Sequence, residues 1–353
     1  MRLAVVFLLL LIASTLLACQ FVLLPHAISP GEAVTMTIQS KRAWRTADAL
    51  PSAWNIQQIQ PVTAGGHSPV VVAVLDTGLD HHHPSLPPRV YPTIDVVGRD
   101  WYTHDDATYD FSGTDGNGHG THVAGIILAV ARPSPVWILP VKVIPASGIG
   151  NDVQLAAGIE RALAWRDPND PQRRVRIMNL SLASPVVSER LTQVIRRVYA
   201  QGILVVGAAG NDGGAVDFPG SLPEVLTVGG TGVSGDWVPY SSYGDEVDIV
   251  APGGEESQPV MSIWPLHMTT TDFSTGVVSK DLSAGLIGTS MAAPHVSGAA
   301  AVLWSTSPVL SRAQIRTRLL TMADPLSTGR AARTGFGRLN LFRAWNGTHH
   351  DAR

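Results

Sequence analysis

The chain has 353 residues, 45% of them hydrophobic, and its 25 Lys and Arg against 28 Asp and Glu leave a formal charge of -3. That length and apolar content support one full-sized globular core rather than a disordered or fibrous chain. No basic block is dense enough to follow a phosphate backbone, which excludes nucleic acid as a partner.

The first 19 residues, MRLAVVFLLLLIASTLLAC, join one arginine to a long apolar run and read as a targeting segment. Leu16, Leu17, Ala18 and Cys19 resemble the lipobox of bacterial lipoproteins, which implies a lipid on Cys19, the one cysteine of the chain. Two alternatives stay open. Leu3 to Leu24 is long enough to span a bilayer of ~30 Å as an uncleaved anchor, and ordinary cleavage with release is the other. All three place the remaining chain outside the cytoplasm, the first two with its N-terminus on a membrane. Residues 20–50 contain prolines and little periodicity, and are expected to be a tether or short pro-segment.

Six apolar residues from Val70 to Leu75 read as a strand covered on both faces. Similar runs recur at 136–143, 175–180, 203–207, 225–228 and 247–250, with helical patterns at 122–131, 152–165 and 188–201 between several of them. This alternation predicts an α/β fold, a doubly wound and mostly parallel sheet flanked by helices, in a single domain over residues 51–346 with a tail at 347–353. Sheets of this kind hold their sites beyond the carboxyl ends of the strands.

Asp76 stands at such a strand end, in D-T-G, where a turn former and a catalytic carboxylate are both plausible. In DGNGHGTHVAG, residues 115–125, His119 lies between two glycines at the start of a helix, a setting that suits a general base. His119 and His122 are three apart, whereas helical metal pairs sit four apart with a third ligand nearby, so a metal reading is disfavoured. The same holds for the triple histidine 81–83. In LIGTSMAAPHVSG, residues 286–298, Gly288 to Ser290 read as a turn and N-cap before a buried helix running to Trp304. That reading leaves Ser290 without a role.

Taken together and in this order, VAVLDTG, GNGHGTHVAG and GTSMAAPHVSG resemble the three signature blocks of the subtilisin-like serine proteases, a likeness that spans Trp54 to Trp345. The resemblance implies a serine endopeptidase in which Ser290 is the nucleophile, His119 the base that takes and returns its proton, and Asp76 the group that orients His119. It implies Asn211 in the oxyanion hole, beside Ala208, Ala209 and Gly210 of the cleft. A protein or peptide substrate would pair its backbone with Ser147-Gly148-Ile149 and Ser181-Leu182-Ala183, where Ala183 replaces the family's usual glycine. Asp217 stands where the family usually has a small or neutral residue in the primary pocket, so a preference for Arg or Lys before the cleaved bond is expected, unless Asp217 points to solvent.

No cofactor is required for this chemistry. The family's strong calcium site is expected to be absent, because Ser85 follows His83-Pro84 where a carboxylate is usual. Asp105, Asp106, Asp110 and Asp115 could hold an ion but read as a solvated acidic loop. Residues 20–50 are too short for the usual pro-domain, and the polar loop 254–283 is placed to shape the cleft. A monomer is expected. The alternative, an inactive membrane-tethered peptide-binding module of the same fold, would call for damage to these residues, and the sequence has none.

Overall fold

The computed structural model describes residues 33–98 apart from 39, 44–53 and 64, residues 114–326 apart from 267, 269, 272–277 and 280–281, and residues 331–350. Cys19 and the targeting segment, Asp105, Asp106 and Asp110, and residues 351–353 lie outside this set. The strands in chain order are β1 (Thr35–Ile38), β2 (Lys41–Ala43), β3 (Val70–Asp76), β4 (Ile94–Asp95), β5 (Val136–Lys142), β6 (Ile149–Asn151), β7 (Val175–Leu180), β8 (Leu182–Ala183), β9 (Leu204–Ala208), β10 (Val225–Thr231), β11 (Ile249–Pro252), β12 (Val260–Ile263), β13 (Thr270–Thr271), β14 (Val278–Ser279) and β15 (Ser283–Ile287). The helices are α1 (Trp54–Gln58), α2 (His119–Val130), α3 (Asp152–Ala164), α4 (Glu189–Ala200), α5 (Thr289–Thr306), α6 (Arg312–Thr321), α7 (Ala331–Thr334) and α8 (Leu341–His350).

Seven strands form one sheet in the order β11-β10-β9-β7-β3-β5-β4, and every neighbouring pair is parallel. The doubly wound sheet expected from the alternating runs is present. Side chains along β3 part to opposite faces: Val70, Val72 and Val74 join the layer holding α2 and α5, while Val71, Ala73 and Leu75 join the layer holding α3 and α4. Both faces are therefore buried, and the strand needs no polar alternation. β3 has β5 on one side and β7 on the other, so the direction of winding reverses beside it, and its carboxyl end is the switch point.

α5 is apolar all round because it runs through the interior; every residue from Thr289 to Ser305 is buried. Its small residues allow close packing on α2. A Cβ at Gly298 would fall 2.8 Å from Val130 Cβ, so even alanine there would push the two helices apart. β9 and β11 are offset by one and two residues from their apolar runs, since burial of side chains continues where ladder pairing does not. α4 begins after Ser188, whose Oγ accepts from Leu191 N at 3.2 Å.

The segment upstream of Trp54 is not irregular throughout. β1 lies between β6 and β8, antiparallel to both, in a separate three-stranded sheet, and β2 pairs antiparallel with β15. Among the described residues, no helix is long and apolar enough to cross a membrane.

Candidate active site

Asp76 ends β3, and its Oδ1 accepts from Thr77 N and from His119 Nδ1, each at 2.8 Å. His119 opens α2 after Gly118, which takes the left-handed φ of 94° that glycine tolerates. Asp76 and His119 are each 1% exposed, so their contact is sheltered from screening. Gly120 lets the helix start close against the strand end; a Cβ there would meet Gly78 O at 2.3 Å.

The helix begins three residues earlier than its sequence pattern indicates, and Asp115 is the reason. Its Oδ1 accepts from Thr77 Oγ1, Asn117 N and Gly118 N at 2.7, 3.1 and 2.7 Å, and its Oδ2 from Thr121 N and Thr121 Oγ1 at 2.8 and 2.7 Å. Of these, Gly118 N and Thr121 N are donors that a helix start leaves unsatisfied. Thr77 Oγ1 in turn accepts from Gly120 N at 2.9 Å. Asp115 is fully buried, which corrects its reading as part of a solvated acidic loop. It ties the Asp76 turn to the His119 helix. Lys142, also buried, adds a cation between the same two turns by donating to Thr77 O and Thr114 O, both at 3.0 Å.

Ser290 is the second residue of α5 and is fully buried. Its Oγ donates to Ser181 O at 2.8 Å, while among the described residues His119 Nε2 has no hydrogen-bond partner. The serine and imidazole are thus not hydrogen-bonded in this conformation. Asn211 caps the same helix: its Oδ1 accepts from Thr289 N at 2.9 Å and from Thr289 Oγ1 at 3.0 Å. With the amide oxygen held in this way, the NH2 end is presented as the donor. Beneath Ser290, Ser297 Oγ donates to Asn179 Oδ1, Asn179 Nδ2 to Ser181 Oγ, and Ser181 Oγ to Ser290 O, at 2.8, 2.9 and 2.8 Å. This buried chain fixes α5 on β7; neither Asn179 nor Ser297 stands out in the sequence.

The other expected residues lie on three segments. Ser147, Gly148 and Ile149 lead into β6, Ser181, Leu182 and Ala183 form and flank β8, and Ala208, Ala209 and Gly210 connect β9 to Asn211. Asp217 joins the last two walls. Its N donates to Ala209 O at 2.9 Å, the next residue exchanges backbone hydrogen bonds with Ser184, and a Cβ on Gly210 would lie 2.3 Å from Asp217 Oδ2. One carboxylate oxygen therefore lies against the Gly210 backbone, and the residue is half-buried. Burial, and after it the charge of Asp212, push its carboxyl up to about 6.

His122 belongs to the packing. Its Nε2 lies 3.0 and 3.1 Å from Ala284 O and Val260 O, and burial, followed by the nearby His119, lowers it to about 3, which keeps it neutral. His83 Nε2 contacts Leu282 O at 2.9 Å. Among the described residues, no three of His, Cys, Asp and Glu are grouped to hold a metal ion.

A buried carboxylate and imidazole at the switch point, with a serine on the first turn of a neighbouring helix, are the residue types that serine hydrolysis draws on, here set on a doubly wound α/β frame. The profile of the Subtilase family matches residues 67–338. Subtilisin Savinase of Lederbergia lenta is 34% identical over 80% of this chain and 94% of its own, and an alkaline protease of Alkalihalobacillus alcalophilus 33% identical over 86% and 72%. M-protease of Shouchella clausii is 34% identical over 84% of this chain and 68% of its own. The chain belongs to the subtilase family and is a serine endopeptidase.

Proposed function

We propose that the enzyme cuts peptide bonds through an acyl-enzyme on Ser290, with His119 as general base and then acid, and Asp76 as its orienting partner. The observation that carries this reading is the buried 2.8 Å contact between His119 Nδ1 and Asp76 Oδ1. It holds the imidazole in the tautomer whose Nε2 can accept a proton. Swinging Ser290 Oγ from Ser181 O to that nitrogen removes an unpartnered buried group, which by itself costs about 1–3 kcal/mol. As Oγ attacks the substrate carbonyl, its proton passes to Nε2 and then to the leaving amine; water repeats the sequence in reverse to free the acid. The oxyanion is received by the Asn211 amide and by Ser290 N, at the positive end of α5.

A fluorophosphonate probe tests this directly. The full chain is expected to be labelled at one residue and the Ser290→Ala chain at none; labelling that survives the substitution would assign the nucleophile elsewhere. Asn211→Ala is expected to lower kcat on the order of 10²–10³, the scale known for subtilisin's own oxyanion asparagine, with KM little changed.

We assign the preference before the cleaved bond to Arg or Lys, drawn by Asp217. Because the carboxyl titrates near 6 and only its ionised form attracts a cation, the preference is greatest above about pH 7 and fades as pH falls through 6. The ratio of kcat/KM for matched peptides with Arg or Leu at that position, followed from pH 5 to 8, isolates this effect because pH effects common to both peptides cancel in the ratio. A flat ratio near one would remove Asp217 from the pocket. The apolar leader supports export, with lipid on Cys19 as the membrane tether; neither bears on the chemistry. The inactive binding-module alternative gains no support, because every group the reaction needs is present.

A further inference from the structure

The helix that carries Ser290 has a proline in its interior. Pro294 lies inside α5, four residues after Ser290, and has no N–H to give the Ser290 carbonyl. Its ring also crowds that carbonyl. Ser290 is fully buried, and a buried main-chain acceptor without its donor costs as much as a lost hydrogen bond. The fold supplies a donor from outside the helix: Ser181 Oγ donates to Ser290 O at 2.8 Å. Ser290 Oγ in turn donates to Ser181 O, also at 2.8 Å. Ser181 thus engages Ser290 through both the main chain and the side chain.

The Ser181 hydroxyl is aimed by a dedicated group. Because a carbonyl can only accept, Ser181 Oγ directs its one proton to Ser290 O and receives a hydrogen bond from Asn179 Nδ2 at 2.9 Å. Asn179 Oδ1 accepts from Ser297 Oγ at 2.8 Å, so both ends of the amide are fixed. Asn179, Ser181 and Ser297 are each fully buried, where such a chain has no water to replace a missing member. Ser297 stands about two turns after Ser290 on α5, so the chain returns to the face it started from.

We propose that Ser181 is a positioning residue for the nucleophile: its hydroxyl replaces the helical N–H that Pro294 lacks, and Asn179 aims it. The proposal rests on the reading of Ser290 given above and adds what holds that residue in place for attack. The first turn of α5 presents both Ser290 Oγ and Ser290 N, so a tilt of that turn moves the nucleophile and an oxyanion donor together. A misplacement of about 1 Å costs on the order of 10²-fold in rate. Loss of the hydroxyl leaves the Ser181 backbone, where substrate is expected to pair, unaltered.

The test is a double-substitution cycle on the full chain, with Ser181→Ala, Pro294→Ala and the two combined, read by hydrolysis of a short arginyl peptide amide. Ser181→Ala is expected to lower kcat by roughly ten- to a hundredfold with KM within about twofold, and to slow fluorophosphonate labelling to match. Pro294→Ala returns an N–H to the same carbonyl and makes the hydroxyl redundant. Alone it is expected to stay within about threefold of the parent, and in its background Ser181→Ala should cost less than about threefold in kcat. Melting temperatures follow the same cycle and need no catalysis. Ser181→Ala is expected to lower Tm by several degrees in the parent and by less than half as much in the Pro294→Ala background. Losses of equal size in the two backgrounds would overturn the proposal, as would an unchanged kcat in a Ser181→Ala chain that melts lower. Coupled melting temperatures, with no hydrolysis or labelling by any chain, would sustain the exchange of hydroxyl for amide and instead overturn the assignment of Ser290.

Discussion

Replacing Ser290 with alanine is expected to lower turnover by about a millionfold, the scale known for subtilisin's triad, while leaving the fold intact. The second half of that expectation follows from the site. The hydrogen bond from Ser290 Oγ to Ser181 O is worth on the order of 1 kcal/mol, and α5 remains held by Asn211 at its start and by the Ser297–Asn179–Ser181 chain beneath it. Circular dichroism and the melting temperature should therefore match those of the parent, and kcat alone should fall. A large drop in stability would mean that the serine is a structural group and that the activity loss says nothing about its chemistry.

Replacing Asp115 with alanine is expected to have the largest effect on stability. It strands five donors, four buried ones on Thr77, Gly118 and Thr121 and the half-buried Asn117 N. At roughly 1–3 kcal/mol for each unsatisfied group and with partial relaxation, the loss should exceed about 4 kcal/mol, or roughly 10 °C in melting temperature for a large domain. Asp115→Asn keeps one acceptor oxygen but turns an NH2 toward Thr121 N, so it should fold, melt lower and lose about tenfold in kcat as the Asp76–His119 geometry loosens. Thermal melts and steady-state kinetics on the two variants separate the effects. Normal stability in Asp115→Ala would show that the cluster recruits other acceptors.

The sheet and the three signature residues are legible because they are local. An unbroken apolar run followed by Asp-Thr-Gly is a doubly buried strand and its exit, and glycines around His119 and before Ser290 mark places where backbone must approach closely. Asp115 was not legible as a buried group, since an aspartate among glycines and asparagines looks the same whether it faces water or a helix start. What distinguishes it is the pair of threonines, Thr77 and Thr121, and they become its partners only after folding. β1 is harder still. A four-residue T-M-T-I alternation is too short to signal a strand, and its ladder partners stand more than a hundred residues downstream. For Asp217 the sequence leaves pocket and solvent both open, and the fold sets one carboxylate oxygen against Gly210.

α5 carries Ser290 through the interior, with every residue from Thr289 to Ser305 buried. A helix without a solvent face opens only when the core around it opens. On heating, activity is therefore expected to be lost together with the fold and not before it.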